Sequence, residues 1–249
     1  MMKGKQANFV LVAVALVSIF GFIVFTKSTY ATAGLAAETA WIDDFDSGTL
    51  DSRWSWVREN PTYWSLTDNS GYLRLVTRGS LYQTFNDLEN ILLTPVSDTD
   101  YRIITRVTFS PTANIHKVGL NVYQDDDNYF QLVRVYVDGH KIRIRTELGG
   151  VTTTNFLTDE TATTLYLRID KFGNDYYGFY SIDGDAWEFI GHDNVILSNP
   201  YVDLFAGNGA TTLEINADFD FFQYMPLSFD HSWEDDFSGS TLDSAWSWL

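Results

Sequence analysis

The segment Trp41-Ile-Asp-Asp-Phe-Asp-Ser-Gly-Thr-Leu-Asp-Ser-Arg-Trp-Ser-Trp-Val57 recurs as Trp233-Glu-Asp-Asp-Phe-Ser-Gly-Ser-Thr-Leu-Asp-Ser-Ala-Trp-Ser-Trp-Leu249, with 11 of 17 positions identical at a constant offset of 192. A period that long is far outside solenoid repeats, so the repeated unit is a whole domain. The first copy is expected over residues 41–225, a linker over 226–232, and the truncated start of a second copy over 233–249. The sequence reads as a fragment of a tandem array of intrachain copies.

Upstream, Lys3 and Lys5 precede an apolar run from Phe9 to Phe25, followed by Lys27 and Ala31-Thr32-Ala33. This is the layout of an export signal with an A-x-A processing site, so residues 1–33 are read as a signal peptide and 34–40 as a short spacer. The alternative is an uncleaved membrane anchor, because a 17-residue run is only slightly short of a span. Either way, the domain is expected to be secreted or to face the outside. Once the signal is removed, no membrane association is expected. Losing Lys3, Lys5 and Lys27 from 16 basic residues leaves 13 against 33 acidic ones, a net of -20. Such a surface repels phosphate backbones and excludes nucleic acid as a partner. The chain has no cysteine, which removes disulfides, thiolate metal sites and thiol nucleophiles together.

Within the repeat the apolar residues alternate with period 2. Leu165, Leu167 and Ile169 alternate with Tyr166, Arg168 and Asp170; Val118, Leu120 and Val122 with Gly119, Asn121 and Tyr123; Ile142 and Ile144 with Lys141, Arg143 and Arg145. Each reads as a half-buried strand. Asn69-Ser70-Gly71, Asp138-Gly139, Gly149-Gly150, Gly173-Asn174 and Asp183-Gly184 supply the turn residues of hairpins. About a dozen such strands without a helical pattern mean an antiparallel sandwich or closed barrel. The opening Asp43-Asp44-Phe45 and the closing Ala217-Asp218-Phe219-Asp220-Phe221 would be neighbours if the chain ends meet in one sheet.

The order Trp41-Ile-Asp-Asp-Phe-Asp, Leu50-Asp-Ser-Arg-Trp-Ser-Trp-Val-Arg-Glu-Asn-Pro61, Trp64-Ser-Leu-Thr, Gly71-Tyr-Leu-Arg-Leu, Val118-Gly-Leu-Asn-Val-Tyr-Gln-Asp-Asp-Asp-Asn-Tyr-Phe130, Tyr180-Ser-Ile-Asp-Gly-Asp-Ala-Trp187 and Ala217-Asp-Phe-Asp-Phe-Phe222 resembles one module. That module is the concanavalin-A-like C-terminal domain of the family 43 β-xylosidases and arabinofuranosidases. The resemblance implies an all-β, concanavalin-A-like (laminin-G-like) antiparallel sandwich or jelly roll. In that family the catalytic carboxylates sit on a separate five-bladed propeller, and the sandwich helps to close the substrate pocket. No propeller precedes the sandwich in this sequence, so the family's catalysis does not transfer to it.

Glycosidases need two carboxylates flanking the scissile bond. Those on a concanavalin-A-like sandwich carry Glu-x-Asp-x-x-Glu, and Glu59, Glu89, Glu147, Glu160, Glu188 and Glu214 do not stand in that spacing. No catalytic residue is therefore assigned. His116, His140, His192 and His231 show no paired ligand pattern and read as solvated loop residues. Asp125-Asp126-Asp127-Asn128 reads as an acidic hairpin tip. Asp43, Asp44, Asp218 and Asp220 are candidate ligands of a structural Ca2+ where the first and last strands meet, the alternative being plain surface acidity. Trp54 and Trp56 share a strand face and, like Trp64 and Trp187, read as core residues before sugar platforms.

Nine of the 13 remaining basic residues lie in 102–171. If adjacent strands gather Arg134, Tyr136, Arg143, Arg145, Tyr166 and Arg168 on one surface, planar donors and ring faces suit a glycan rich in hydroxyls or uronic acids. Cross-strand ion pairs on a solvated sheet are the alternative. The expectation is a non-catalytic carbohydrate-binding or accessory module for a plant-type polysaccharide. Its rivals are an accessory domain of a hydrolase whose catalytic part lies beyond Leu249, and a ligand-free stalk repeat.

Overall fold

The computed structural model describes residues 39–227 except Thr84, Asp98, Ala210 and the side chain of Thr154. The export signal at 1–33, the second copy at 233–249 and most of the linker lie outside the described residues. Among the described residues no helix is long and apolar enough to cross a membrane.

In chain order the strands are β1 (Trp41–Asp43), β2 (Ser55–Val57), β3 (Trp64–Ser65), β4 (Leu73–Val76), β5 (Leu81–Tyr82), β6 (Phe85–Asn86), β7 (Ile91–Pro95), β8 (Tyr101–Thr108) and β9 (Lys117–Asp125). They continue with β10 (Asn128–Tyr136), β11 (His140–Leu148), β12 (Val151–Asp159), β13 (Thr164–Phe172), β14 (Asp175–Ser181), β15 (Glu188–Asn194), β16 (Tyr201–Gly207) and β17 (Asn216–Pro226). A 3-10 turn, Pro61–Tyr63, precedes β3. One antiparallel sheet of eight strands runs β15-β14-β13-β8-β17-β4-β3 with β1 paired to β17; the other, of seven, runs β12-β11-β10-β9-β16-β7-β2. The architecture is the expected all-β sandwich.

The alternation sets which side chains meet between the sheets. Leu165, Leu167 and Ile169 of β13 face Val118, Leu120 and Val122 of β9 and Leu132, Ile142 and Ile144 of β10 and β11 in one buried cluster. Gly178 of β14 is required there: a Cβ would lie 2.5 Å from Ile144 Cδ1. Hairpin chemistry falls where expected, with Asp138 and Gly139 at φ 49° and 116° and Gly149 and Gly150 at 57° and 73°.

β1 lies against β17 with Trp41 opposite Tyr224 and Asp43 opposite Phe222, so the first and last strands of the domain are neighbours. Trp54 packs edge-on to Trp41 and Phe222 at ring distances of 5.8 and 5.1 Å and donates its indole N–H to Asp43 at 2.8 Å. Trp56 packs at a tilt on Trp64, with ring centroids 4.9 Å apart, beside the same cluster. Trp54 is a core residue as expected, Trp56 and Trp64 are partly buried against the core, and Trp187, expected beside them, lies outside it near Arg168.

The strands of the seven-stranded sheet depart from the half-buried expectation. β9, β10 and β11 are buried on both faces over most of their length. A second apolar cluster forms on the outward side, where Leu81 and Leu88 pack on Ile91, Leu93, Val133, Val135 and Phe205. The cover is the chain between β4 and β7, residues 77–90, which carries the small β5–β6 hairpin.

Candidate functional site

Beneath that hairpin a row of polar side chains crosses four adjacent strands. Asp203 of β16 is opposite Asn121 of β9, Asn121 opposite Gln131 of β10, and Gln131 opposite Arg145 of β11. By the strand period they point away from Leu120, Leu132 and Ile144, as do Lys117, Tyr129, Arg143 and Glu147. Asn121, Gln131 and Asp203 are fully buried, and Arg143 and Arg145 are 2% and 9% exposed.

The hairpin is tied down from below. The Leu81 carbonyl accepts from Lys117 Nζ at 2.9 Å and from the Tyr129 hydroxyl at 3.2 Å, and Glu147 accepts from the Gln83 amide at 2.8 Å. The Tyr129 hydroxyl also lies 3.1 Å from the second Glu147 oxygen. The Tyr82 ring lies over the Arg145 guanidinium at 4.3 Å. At the loop's base Arg58 clamps Asp126 with two 2.8 Å bonds and donates to the Leu88 carbonyl, while Asn86 bonds Asp127. The Asp125–Asn128 tip, expected as a turn, is thus an anchor for the cover. Gly79 permits the fold-over: it sits at φ 67°, and a Cβ would lie 2.2 Å from the Asp87 carbonyl oxygen.

The enclosed polar groups are incompletely satisfied. Both amide atoms of Gln131, Oδ1 of Asn121 and Asp203, Nε and Nη2 of Arg143 and Nε of Arg145 have no hydrogen-bond partner among the described residues. Burial raises the Asp203 carboxyl to about 8, against the pull of the Asn121 hydrogen bond at 3.2 Å. Burial and the neighbouring Arg145 push the Arg143 guanidinium down to about 9, and burial with both arginines lowers Lys117 well below its ordinary value. Two cavities lie beside this region, and of its polar groups they reach Arg145. One, about 220 Å3, is lined by Ser80, Tyr82, Phe85, Ile115, Arg145 and Gly209. The other, about 390 Å3, lies where Arg78 bridges Glu89 and Glu214, and shares Gly209.

The six residues expected to form one glycan surface occupy three places. Arg143 and Arg145 lie under the hairpin. Arg134 and Tyr136 fall on the inter-sheet side of β10 near its end, where Arg134 donates to the Glu160 carbonyl and meets His140 Nδ1 at 3.0 Å. Tyr166 and Arg168 lie on β13, on the outward face of the other sheet. Arg143 and Arg145 are therefore not solvated, because a segment some 60 positions earlier in the chain covers them.

The outward face of the eight-stranded sheet is open and its charges are paired. Asp170 receives a bidentate pair from Arg102 at 2.6 and 2.7 Å and a bond from Arg168 at 3.0 Å. Arg168 also lies over Phe179 and Trp187 at 4.1 and 4.8 Å, and Arg106 over Tyr166 at 5.7 Å. Asp218 takes two bonds from Arg74, and Asp220 one from Arg106. Asp43 accepts from Trp54 and the Phe45 amide, Asp44 from the Asp46 amide. The four expected Ca2+ ligands thus turn to separate partners, and among the described residues no three His, Asp or Glu are grouped to hold a metal ion.

His116 corrects its expectation as a solvated residue. It is fully buried, its ring bonds the Leu213 carbonyl at 3.0 Å, and burial lowers its pKa. His192 is exposed, stacked on Tyr177 at 4.8 Å. Asp203, Asn121, Gln131, Lys117 and Glu147 were not singled out as site residues. The available signal was β10 and β16, where Val133 and Val135, and Phe205 and Ala206, place apolar residues on both strand faces and so require cover on both.

Residues 42–225 match the family described as the β-xylosidase C-terminal concanavalin A-like domain. A relative in Escherichia coli (strain K12), provisionally named a β-xylosidase, is 29% identical over 208 residues, which are 75% of this chain and 38% of the relative. A non-reducing end α-L-arabinofuranosidase of Bacteroides ovatus is 31% identical over 102 residues, 40% of this chain and 19% of its own. The crystal structure of a GH43 protein from Bacillus licheniformis superposes with a TM-score of 0.69 at 27% identity, over 75% of this chain and 39% of that one. The chain thus spans about two fifths, or less, of each of these three proteins. By the match over 42–225, this chain belongs to the family of concanavalin A-like C-terminal domains of β-xylosidases, the accessory and non-catalytic module of GH43 enzymes.

Proposed function

We propose that this sandwich is the accessory domain of an exported glycoside hydrolase of plant-type polysaccharides, holding or steadying the glycan while cleavage takes place on another domain. The observation that carries this reading is the family match over 42–225. The covered sheet face supports it. Of the two acids there, Glu147 accepts from Tyr129 and the Gln83 amide, and Asp203 is sealed from solvent, so neither is free to flank a glycosidic bond.

Export is supported by the basic, apolar and A-x-A layout of residues 1–33, and a tandem arrangement by the repeated opening at 233–249. Copies a few residues apart would turn a weak glycan contact into a useful one through effective concentration. The test is a native gel containing xylan, arabinoxylan or a neutral glucan, run beside an assay with aryl xylosides and arabinofuranosides. Retardation on a xylan without sugar release is expected. Release of xylose or arabinose by this chain would overturn the non-catalytic reading, and free migration on every polysaccharide would remove the glycan contact.

A further inference from the structure

The buried arginines of the covered face lack what their counterparts on the open face have. Among the described residues Arg143, Arg145 and Lys117 form no ion pair, although all three are buried on one sheet face, the arginines on β11 and Lys117 on β9. The nearby carboxylate, Glu147, has both oxygens engaged, by the Tyr129 hydroxyl and the Gln83 amide. Asp203, the other acid, bonds Asn121. A buried guanidinium without an anion is unstable relative to a paired one, and a planar carboxylate is the partner its fork of donors fits. The unsatisfied atoms of Gln131, Asn121 and Asp203 lie farther along the row and line neither cavity.

The way in is the 220 Å3 cavity, with Arg145 on its wall and Tyr82 and Phe85 presenting ring faces at its mouth. That is below the roughly 300 Å3 at which drug-sized ligand pockets begin, room for one sugar unit and not for a chain.

We propose that the chamber at the β5–β6 hairpin, this cavity, binds one uronic acid unit, a sugar whose carboxylate engages Arg145, whose ring lies against Tyr82 and Phe85 and whose hydroxyls meet Ser80. The choice of a sugar acid over another carboxylate rests on the polysaccharide reading above; the anion site itself does not. In a glycan the unit would be a side substituent, since a cavity of about 220 Å3 has room for a single ring.

The experiment is isothermal titration calorimetry of the full chain with sodium D-glucuronate, sodium sulfate and D-xylose. Gels containing a glucuronic-acid-substituted xylan or an unsubstituted one accompany it. Glucuronate is expected to bind at least about tenfold more tightly than xylose or sulfate, the scale of losing one charge-assisted pair. Arg145→Gln and, at the mouth, Tyr82→Ala should each weaken it by about tenfold or more, while Arg168→Gln on the open face leaves it unchanged. Circular dichroism checks the fold of each variant, and Tyr82→Ala carries the test if the buried arginine variant does not fold. Equal binding of sulfate would overturn the sugar assignment. Absence of glucuronate binding, or binding indifferent to both variants, would overturn the chamber. If the chain is then still retarded on xylan, the accessory reading survives alone. Glucuronate binding without retardation on any polysaccharide supports the chamber and removes the polysaccharide reading instead.

Discussion

The two outward faces of the sandwich are built from similar residues and treat charge in opposite ways. On the eight-stranded sheet each of Arg74, Arg102, Arg106 and Arg168 reaches an aspartate, and the face is open to water. On the seven-stranded sheet Arg143 and Arg145 are sealed under a hairpin with no acid bonded to them among the described residues. Exposed pairs are worth little because water already solvates both partners, whereas a sealed charge depends on whatever else is enclosed with it. The open face can tolerate change; the covered one is where a missing partner is felt.

The largest expected effect comes from Asp203. A carboxyl raised to about 8 in the fold, against about 3.9 unfolded, retains in that interval a proton that the unfolded chain has released. Its contribution to stability is thus intact below about pH 4 and lost as pH rises toward 8, on the order of 5 kcal/mol across the interval. Denaturant titrations over pH 4–9 should show this decline, and Asp203→Asn should flatten it. Matching slopes for the two proteins would mean that water reaches the carboxylate and the face is not sealed.

Next in size is Phe205→Ala, which removes a fully buried ring from the cluster under the hairpin. It should cost about 3–5 kcal/mol by thermal or chemical denaturation, as a main-core substitution does. A loss under about 1 kcal/mol would make the covered face equivalent to the open one.

On the open face, Asp170→Ala is expected to cost about 2 kcal/mol, since its side chain is only 5% exposed and serves two arginines. Arg106→Ala should cost less than about 1 kcal/mol, and 0.5 M salt should shrink the difference from wild type further. Its partners are about one third exposed, so a larger cost would show that this face is shielded by something in solution.

Much of this contrast was only half legible in the sequence. The Leu, Ile and Val rows of β9, β11 and β13 announce strands and a core, and the Asp-Gly and Gly-Gly pairs announce their hairpins, because both signals are local. The cover is not local. β5 and β6 are two residues each, too short to alternate, and they reach β9–β11 only through a fold-over at Gly79. Arg143 and Arg145 therefore read as the polar side of a solvated strand. Asp203, flanked by Val202 and Leu204 and followed by Phe205 and Ala206, lies in a run apolar on both faces, a sign that its strand has no wet side. The Arg-Asp pairing of the open face was foreseen as a class, while its partners, such as Arg74 with Asp218 across 144 positions, depend on strand order that no local pattern encodes.

The pairing of β1 with β17 has a mechanical side. The strands run antiparallel with Trp41 beside Tyr224, so a pull applied through the two ends of the domain enters at the same end of the pair. Force in that geometry falls on one rung of backbone hydrogen bonds at a time, opening the pair like a zip instead of shearing all its rungs together. The first residue to be peeled, Trp41, is itself packed on Trp54, Phe222 and Tyr224, so these ring contacts part with the first rung. Under tension such a domain would hold at this aromatic knot, and once it parts give up its first strand and lengthen by a short step. A string of these units would act as a compliant tether.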